Sequence, residues 1–388
     1  MRLEYTERQE QFRAEVRDWL AANLPRESLE SFDTQAGFEQ HRAWERKLSE
    51  RGFSAVTWPA ALGGRGCDLI EWLIFEEEYW AAGAPLRVNQ NGVFLLAPTL
   101  MEYGTPEQRA RFLPRIARAE DIWAQGWSEP GAGSDMAAIR CKAIRDNGHY
   151  VISGLKTWST RAVWADWLFG LFRSQPDSKR HYGLTFLLLP LEAPGISIRP
   201  IRQLNGLTGF AEISFDEVRV PVENRVGEEG AGWSIATATA GFECGLMLHS
   251  PGHFQQTARA LVELYRRHRE SADCDPAIRD AVLRSWIGAE AYALATYRTA
   301  CRLAKGGQIG AEASTYKICW SELDLLMHET AMAILGSRAE LMPHAPDAAG
   351  VGHWLDGFLF AQAGPICAGT NEIQRNLIAE RMLGLPRA

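Results

Sequence analysis

Four stretches of this 388-residue chain combine residue types that could do chemistry. Near the C-terminus, Ala368-Gly369-Thr370-Asn371-Glu372 sets a small-residue turn ahead of Thr370, a good N-cap. The spacing predicts a helix anchored by Ile373 and Leu377, one turn apart on one face. The first N–H groups of such a helix have no intrahelical partner, so they suit an anion or a carbonyl oxygen. Trp127-Ser128-Glu129-Pro130-Gly131-Ala132-Gly133-Ser134-Asp135 is Gly-rich and bears hydroxyls. Its backbone could approach a planar or phosphorylated ligand, and by itself the pattern also suits an ordinary loop. Lys156-Thr157-Trp158-Ser159-Thr160 joins an aromatic ring to two hydroxyls, and it reads equally as a strand with Trp158 in the core. Glu243 is the one acid in the apolar stretch from Trp233 to Leu248. A carboxylate kept from water has a raised pKa and suits proton abstraction; the same acid could instead pair with a distant arginine.

The elements that must position these groups fall into three blocks. Residues 1–121 read as helices: Thr6 with Gln9 forms a capping box ahead of Phe12, Val16, Trp19 and Leu20, and Thr105-Pro106-Glu107-Gln108 repeats the device. Asp68 starts a further helix, whose Glu76, Glu77 and Glu78 read as a solvated face. In residues 122–232 the period changes to that of strands: 139–145 and a strand from His149 flank the hairpin pair Asn147-Gly148, followed by 164–172, 182–189, 196–202 and 211–220. In residues 233–388 the helical period returns, with Phe254, Ala258, Leu261, Val262 and Tyr265 as one stripe and further helices over 276–305 and 311–335. With the C-terminal helix these predict a four-helix bundle. The expected fold is α+β, in the order helical domain, β-barrel or sandwich, bundle.

Composition bounds the function. A net charge of −7 argues against nucleic acid as the main partner. No apolar run approaches a bilayer span and the first residues are too polar for a secretory signal, so no membrane is expected and the cytoplasm is the default location. Seven scattered cysteines without a CxxC pair predict reduced, mostly buried thiols, and the absence of HExxH spacing predicts no metal.

The motifs Pro365 to Arg387, SEPGAGSD and KTWST, in this order over most of the chain, closely resemble those of the acyl-CoA dehydrogenase family. The resemblance implies FAD as cofactor, with Gln125 and Trp127 at backbone contact positions and Ser128 on the isoalloxazine. It further implies Trp158 against the ring, Ser159 and Thr160 near N5, and Gly369, Thr370 and Glu372 on the flavin. Ser134 would lie near the acyl thioester and the Ala368 N–H would polarise its carbonyl. Much of the family carries its base just before the C-terminal Gly-Thr, where this chain has Ala368. Members similar to isovaleryl- and long-chain acyl-CoA dehydrogenases carry it instead at the position of Glu243. The implied activity is α,β-dehydrogenation of an acyl-CoA to the trans-2-enoyl-CoA in fatty acid or sterol degradation, with an electron-transferring flavoprotein as oxidant and a homo- or heterotetrameric assembly.

Three departures qualify this. Cys244 replaces the arginine usual after the base. Arg269 matches the family arginine that reaches the neighbouring subunit's flavin pyrophosphate, but Ala272-Asp273 replaces the Phe-Gly that follows it. Ala333-Ile334-Leu335-Gly336-Ser337 degrades the usual Gln-x-x-Gly-Gly. These changes resemble bacterial mixed tetramers, including those acting on sterol side chains, and leave two alternatives: a partner subunit with weak flavin binding alone, or a flavin monooxygenase or oxidase on the same fold.

Overall fold

The computed structural model describes residues 4–243, 249–268, 275–307, 309–342, 345–348 and 350–386, the side chains of 242 and 243 excepted. Two compact units emerge, one of residues 1–24, 68–84 and 244–388, the other of 25–67 and 85–243.

The second unit is built on an eight-stranded sheet. Its strands are β1 (Trp123–Gly126), β2 (Lys142–Asp146), β3 (His149–Thr160), β4 (Trp167–Arg173), β5 (Leu184–Pro190), β6 (Ile196–Ile201), β7 (Phe210–Pro221) and β8 (Arg225–Val226). They run in the order β6-β7-β3-β2-β4-β5-β8, with β1 parallel to β4. This is the β domain expected between the helical blocks of the sequence. Asn147 and Gly148, both at positive φ, close the β2–β3 hairpin as their types require. Tyr150, Ile152, Leu168, Phe172, Leu187, Ile213 and Phe215 fill the core on one face. The β3–β7 register shifts between Lys156 and Ser159. Such a bulge re-aims a side chain, and here it turns Trp158 outward at φ 60°, leaving it 59% exposed. Helices α2 (Gln35–Ser49), α4 (Ala97–Tyr103), α5 (Pro106–Ala117) and α6 (Gly232–Glu243) belong to the same unit, as do residues Asn91–Leu96, a π-helical lead into α4. The Thr105/Gln108 capping box opens α5, with Pro106 at its first position.

The first unit joins α1 (Glu7–Asn23) and α3 (Leu69–Ala81) to α7 (Pro251–Arg267), α8 (Pro276–Leu303), α9 (Ala313–Leu335), α10 (Gly352–Ala361) and α11 (Asn371–Leu377). Phe254, Ala258 and Leu261 on α7 interlock with Val282, Ala289 and Tyr292 on α8 and with Leu323, Met327 and Ala331 on α9. Gly252 lets α7 approach α3; a Cβ there would lie 2.7 Å from the Glu76 carbonyl oxygen.

Several expectations are corrected. In the C-terminal block α10 was not anticipated, and the C-terminal helix runs as α11 and then on through a π-helical turn, Ile378–Met382. Glu76 and Glu78 are buried, not solvated: Trp80 Nε1 donates to Glu76 at 3.0 Å, and Arg13 and Arg17 donate to Glu78 at 2.8 and 3.0 Å. The two arginines on α1 supply countercharge that a pattern confined to α3 could not reveal. Of the cysteines described, only Cys141 is buried; Cys319 and Cys367 are exposed.

Candidate active site

The β-sheet unit carries the ring-side motifs on adjoining segments. Gln125 is the penultimate residue of β1, and the chain then enters the Gly-rich turn, closed by mutual N–H···O bonds of 3.0 Å between Glu129 and Ala132. Gly131 and Gly133 have open space where a Cβ would stand, and Ser134 is exposed beside them. The Thr157 N–H donates to the Ser128 carbonyl at 2.9 Å, which ties this turn to the last residues of β3. Trp158, Ser159 and Thr160 therefore lie on the strand fastened to Ser128. The Trp158 ring stands out toward solvent and meets Phe210 edge-on at 6.0 Å, so it is no core aromatic.

Three buried polar atoms in this neighbourhood have no hydrogen-bond partner among the described residues: Gln125 Nε2, Trp127 Nε1 and Ser159 Oγ. Orphaned buried polar atoms are costly and call for a missing partner. Two donors and a hydroxyl on segments that also present an exposed aromatic face fit a planar, heteroatom-rich ring such as a flavin.

The C-terminal signature lies in the helical unit. Ala368 and Gly369 both take positive φ, at 52° and 77°, which turns the chain sharply into α11. Thr370 caps that helix, its Oγ1 accepting from the Ile373 N–H at 3.3 Å. Bonds to its own backbone N–H and to the Thr370 hydroxyl hold the Glu372 carboxyl below the usual carboxylate range. The anchoring face differs from the one expected. Ile373 is 40% exposed, whereas Asn371 and Gln374 are buried. Asn371 Oδ1 accepts from Lys317 Nζ at 2.7 Å and Ser321 Oγ at 3.2 Å, and Gln374 Nε2 donates to the Ala368 and Gly369 carbonyls. The turn is thus held by buried polar contacts that an apolar-periodicity reading passes over.

Glu243 is the last described residue of α6, but its side chain lies outside the described residues, as does Arg269. Sequence reasoning also left Lys156 and Glu129 without a role. The signal was available, since a lysine inside a β-strand and an acid inside a Gly-rich turn both need a partner.

Helices and an eight-stranded sheet in this order give the chain an α+β fold. The chain belongs to the acyl-CoA dehydrogenase family, whose members are FAD-dependent: the models "Acyl-CoA dehydrogenase, N-terminal domain", "middle domain" and "C-terminal domain" match residues 6–120, 124–218 and 230–383. It is 41% identical to acyl-CoA dehydrogenase IpdE1 of Mycobacterium tuberculosis over 97% of this chain and 98% of that protein. Among solved structures it is similar to the Tcur3481-Tcur3483 steroid ACAD, with TM-score 0.87, 27% identity and full coverage of both chains. It is also similar to the ChsE4-ChsE5 complex of Mycobacterium tuberculosis, with TM-score 0.81, 32% identity and full coverage of both. Among the described residues no helix is long and apolar enough to cross a membrane.

Proposed function

We propose that this acyl-CoA dehydrogenase binds FAD through the residues named above and converts an acyl-CoA to its trans-2-enoyl-CoA, with Glu243 as base. The observation that carries the proposal is the group of unpartnered buried atoms, Gln125 Nε2, Trp127 Nε1 and Ser159 Oγ, beside the exposed face of Trp158. When bound, the flavin supplies a hydride acceptor and Trp158 a ring wall. Glu243 takes the α proton as the β hydrogen leaves with its electron pair, so the two carbons are left joined by a double bond. The Ala368 N–H donates to the thioester oxygen and stabilises the enolate that develops there. Ser134 lines the thioester side, and Arg269 reaches the flavin pyrophosphate of a neighbouring subunit in a tetramer. An electron-transferring flavoprotein in the cytoplasm reoxidises the enzyme.

Anaerobic titration with a panel of acyl-CoA thioesters tests this. The flavin band of the wild-type protein is expected to bleach with at least one thioester. Glu243→Gln is expected to keep the flavin and lose its reduction by a factor of about 10³ or more. Full-rate reduction by that variant would remove Glu243 from the mechanism.

A second assembly is favoured by the relatives' names and by Ala272-Asp273 and Gly336-Ser337: a mixed tetramer whose other subunit completes the flavin site. In that case the protein purified alone is pale and gains flavin when produced with its partner.

A further inference from the structure

Lys156 lies in β3 two residues before Trp158, and its side chain is fully buried. Its ammonium donates to the Trp127 carbonyl at 3.0 Å and to Glu129 Oε1 at 2.8 Å, and it faces the Phe172 ring at 5.2 Å. The Glu129 carboxylate also accepts from the Arg140 and Cys141 N–H groups, at 2.7 and 2.9 Å. One buried ion pair therefore holds both ends of the turn from Trp127 to Cys141. Burial pushes the Lys156 ammonium down, and Cys141 and Glu129 oppose it. Burial also pushes the Cys141 thiol up to about 12, which keeps it neutral, so the carboxylate is the compensating charge.

The geometry at Trp127 carries the inference. The carbonyl that accepts from Lys156 belongs to the same peptide as the Ser128 N–H. A cation on a peptide oxygen polarises the amide and makes its N–H a stronger donor. Among the described residues the Ser128 N–H meets no protein acceptor. The next carbonyl, that of Ser128, is fixed by Thr157 at 2.9 Å, so the orientation of the N–H is set from both sides.

We propose that Lys156 is a positioning residue for the flavin: by holding and polarising the Trp127–Ser128 peptide it aims a strengthened Ser128 N–H at the isoalloxazine ring. This rests on the flavin-binding function proposed above. A donor strengthened in this way favours the electron-rich reduced ring over the oxidised one. Lys156 thereby raises the potential of the bound cofactor as well as its affinity.

The test compares the wild-type protein with Lys156→Met/Glu129→Gln, titrating each with FAD and measuring the two-electron potential of the bound flavin. The double variant replaces the ion pair by neutral side chains of similar volume, so its urea midpoint is expected to stay near that of the wild type. Its FAD affinity is expected to fall about tenfold or more, the weight of one charge-assisted hydrogen bond. A tenfold loss of preference for the reduced flavin would appear as a potential about 30 mV lower. A folded double variant with unchanged affinity and potential overturns the role of Lys156. If the variant does not fold, amide exchange in the wild-type protein decides: exchange at Ser128 must slow when FAD is added, and unchanged exchange overturns the proposal. A wild-type protein that takes up no FAD would sink the flavin-binding function itself, an outcome separate from a yellow wild type matched by an equally yellow variant.

Discussion

Ser159 separates stability from function at a single atom. Its Oγ is buried and has no partner among the described residues, so nothing described there repays its burial in the absence of a ligand. Ser159→Ala is therefore expected to leave the urea midpoint unchanged or slightly raised, within about 0.5 kcal/mol. If the hydroxyl serves the flavin edge, the same change lowers the rate of substrate-driven flavin reduction about tenfold or more. A variant that loses stability and keeps its rate would show that Ser159 is an ordinary core serine. Trp158 shows why residue-level reading needed the structure. The same five-residue string allows a core tryptophan or an exposed one, and what decides is a register shift between β3 and β7, set by pairing with residues some fifty positions away.

Helix α11 shows both how far pattern carries and where it stops. Its N-cap was legible because Thr followed by helix formers is a local signal, and the capping boxes at Thr6 and Thr105 and the Asn147-Gly148 turn were legible for the same reason. Its anchoring was not, because Lys317 and Ser321 lie 54 and 50 residues before Asn371 on another helix, and polar anchors leave no period in the sequence. The same limit explains Glu76 and Glu78, whose partners lie on α1. The two accounts of α11 predict opposite outcomes. Asn371→Ala takes an acceptor from a buried ammonium and a hydroxyl and is expected to cost about 2 kcal/mol in a urea unfolding experiment. Ile373→Ala removes a side chain that is 40% exposed and is expected to cost less than about 1 kcal/mol. If the isoleucine change proved the larger, the polar anchor would be secondary to an apolar one.

For the whole molecule, acid tolerance follows from histidines inside the helical unit. His249 stacks on Trp320 with ring centroids 3.8 Å apart, and burial pushes its imidazole down to about 3; burial depresses His253 and His353 as well. His328 goes the other way, because the Asp324 hydrogen bond and charge outweigh its burial. At pH 5 His249 is therefore neutral in the folded protein but protonated in the unfolded chain. Stability from His249 is therefore full above the unfolded value of about 6.5 and is lost as pH falls from there toward 3. His328 has the opposite sign, present below about 6.5 and lost as pH rises through its raised value, so it cannot cause the loss on the acid side. Carboxylates such as Glu78, held low by Arg17 and Arg13, protonate below that window and do not confuse it. Between pH 6.5 and 5, His249 alone should account for about 2 kcal/mol of lost stability. His249→Phe retains an aromatic ring to lie against Trp320 and has no proton to bind. Its unfolding free energy should therefore fall less steeply over this interval, by close to one proton in slope. Parallel pH profiles for the two proteins would mean that His249 is already protonated when folded, and that its stack on Trp320 tolerates the charge.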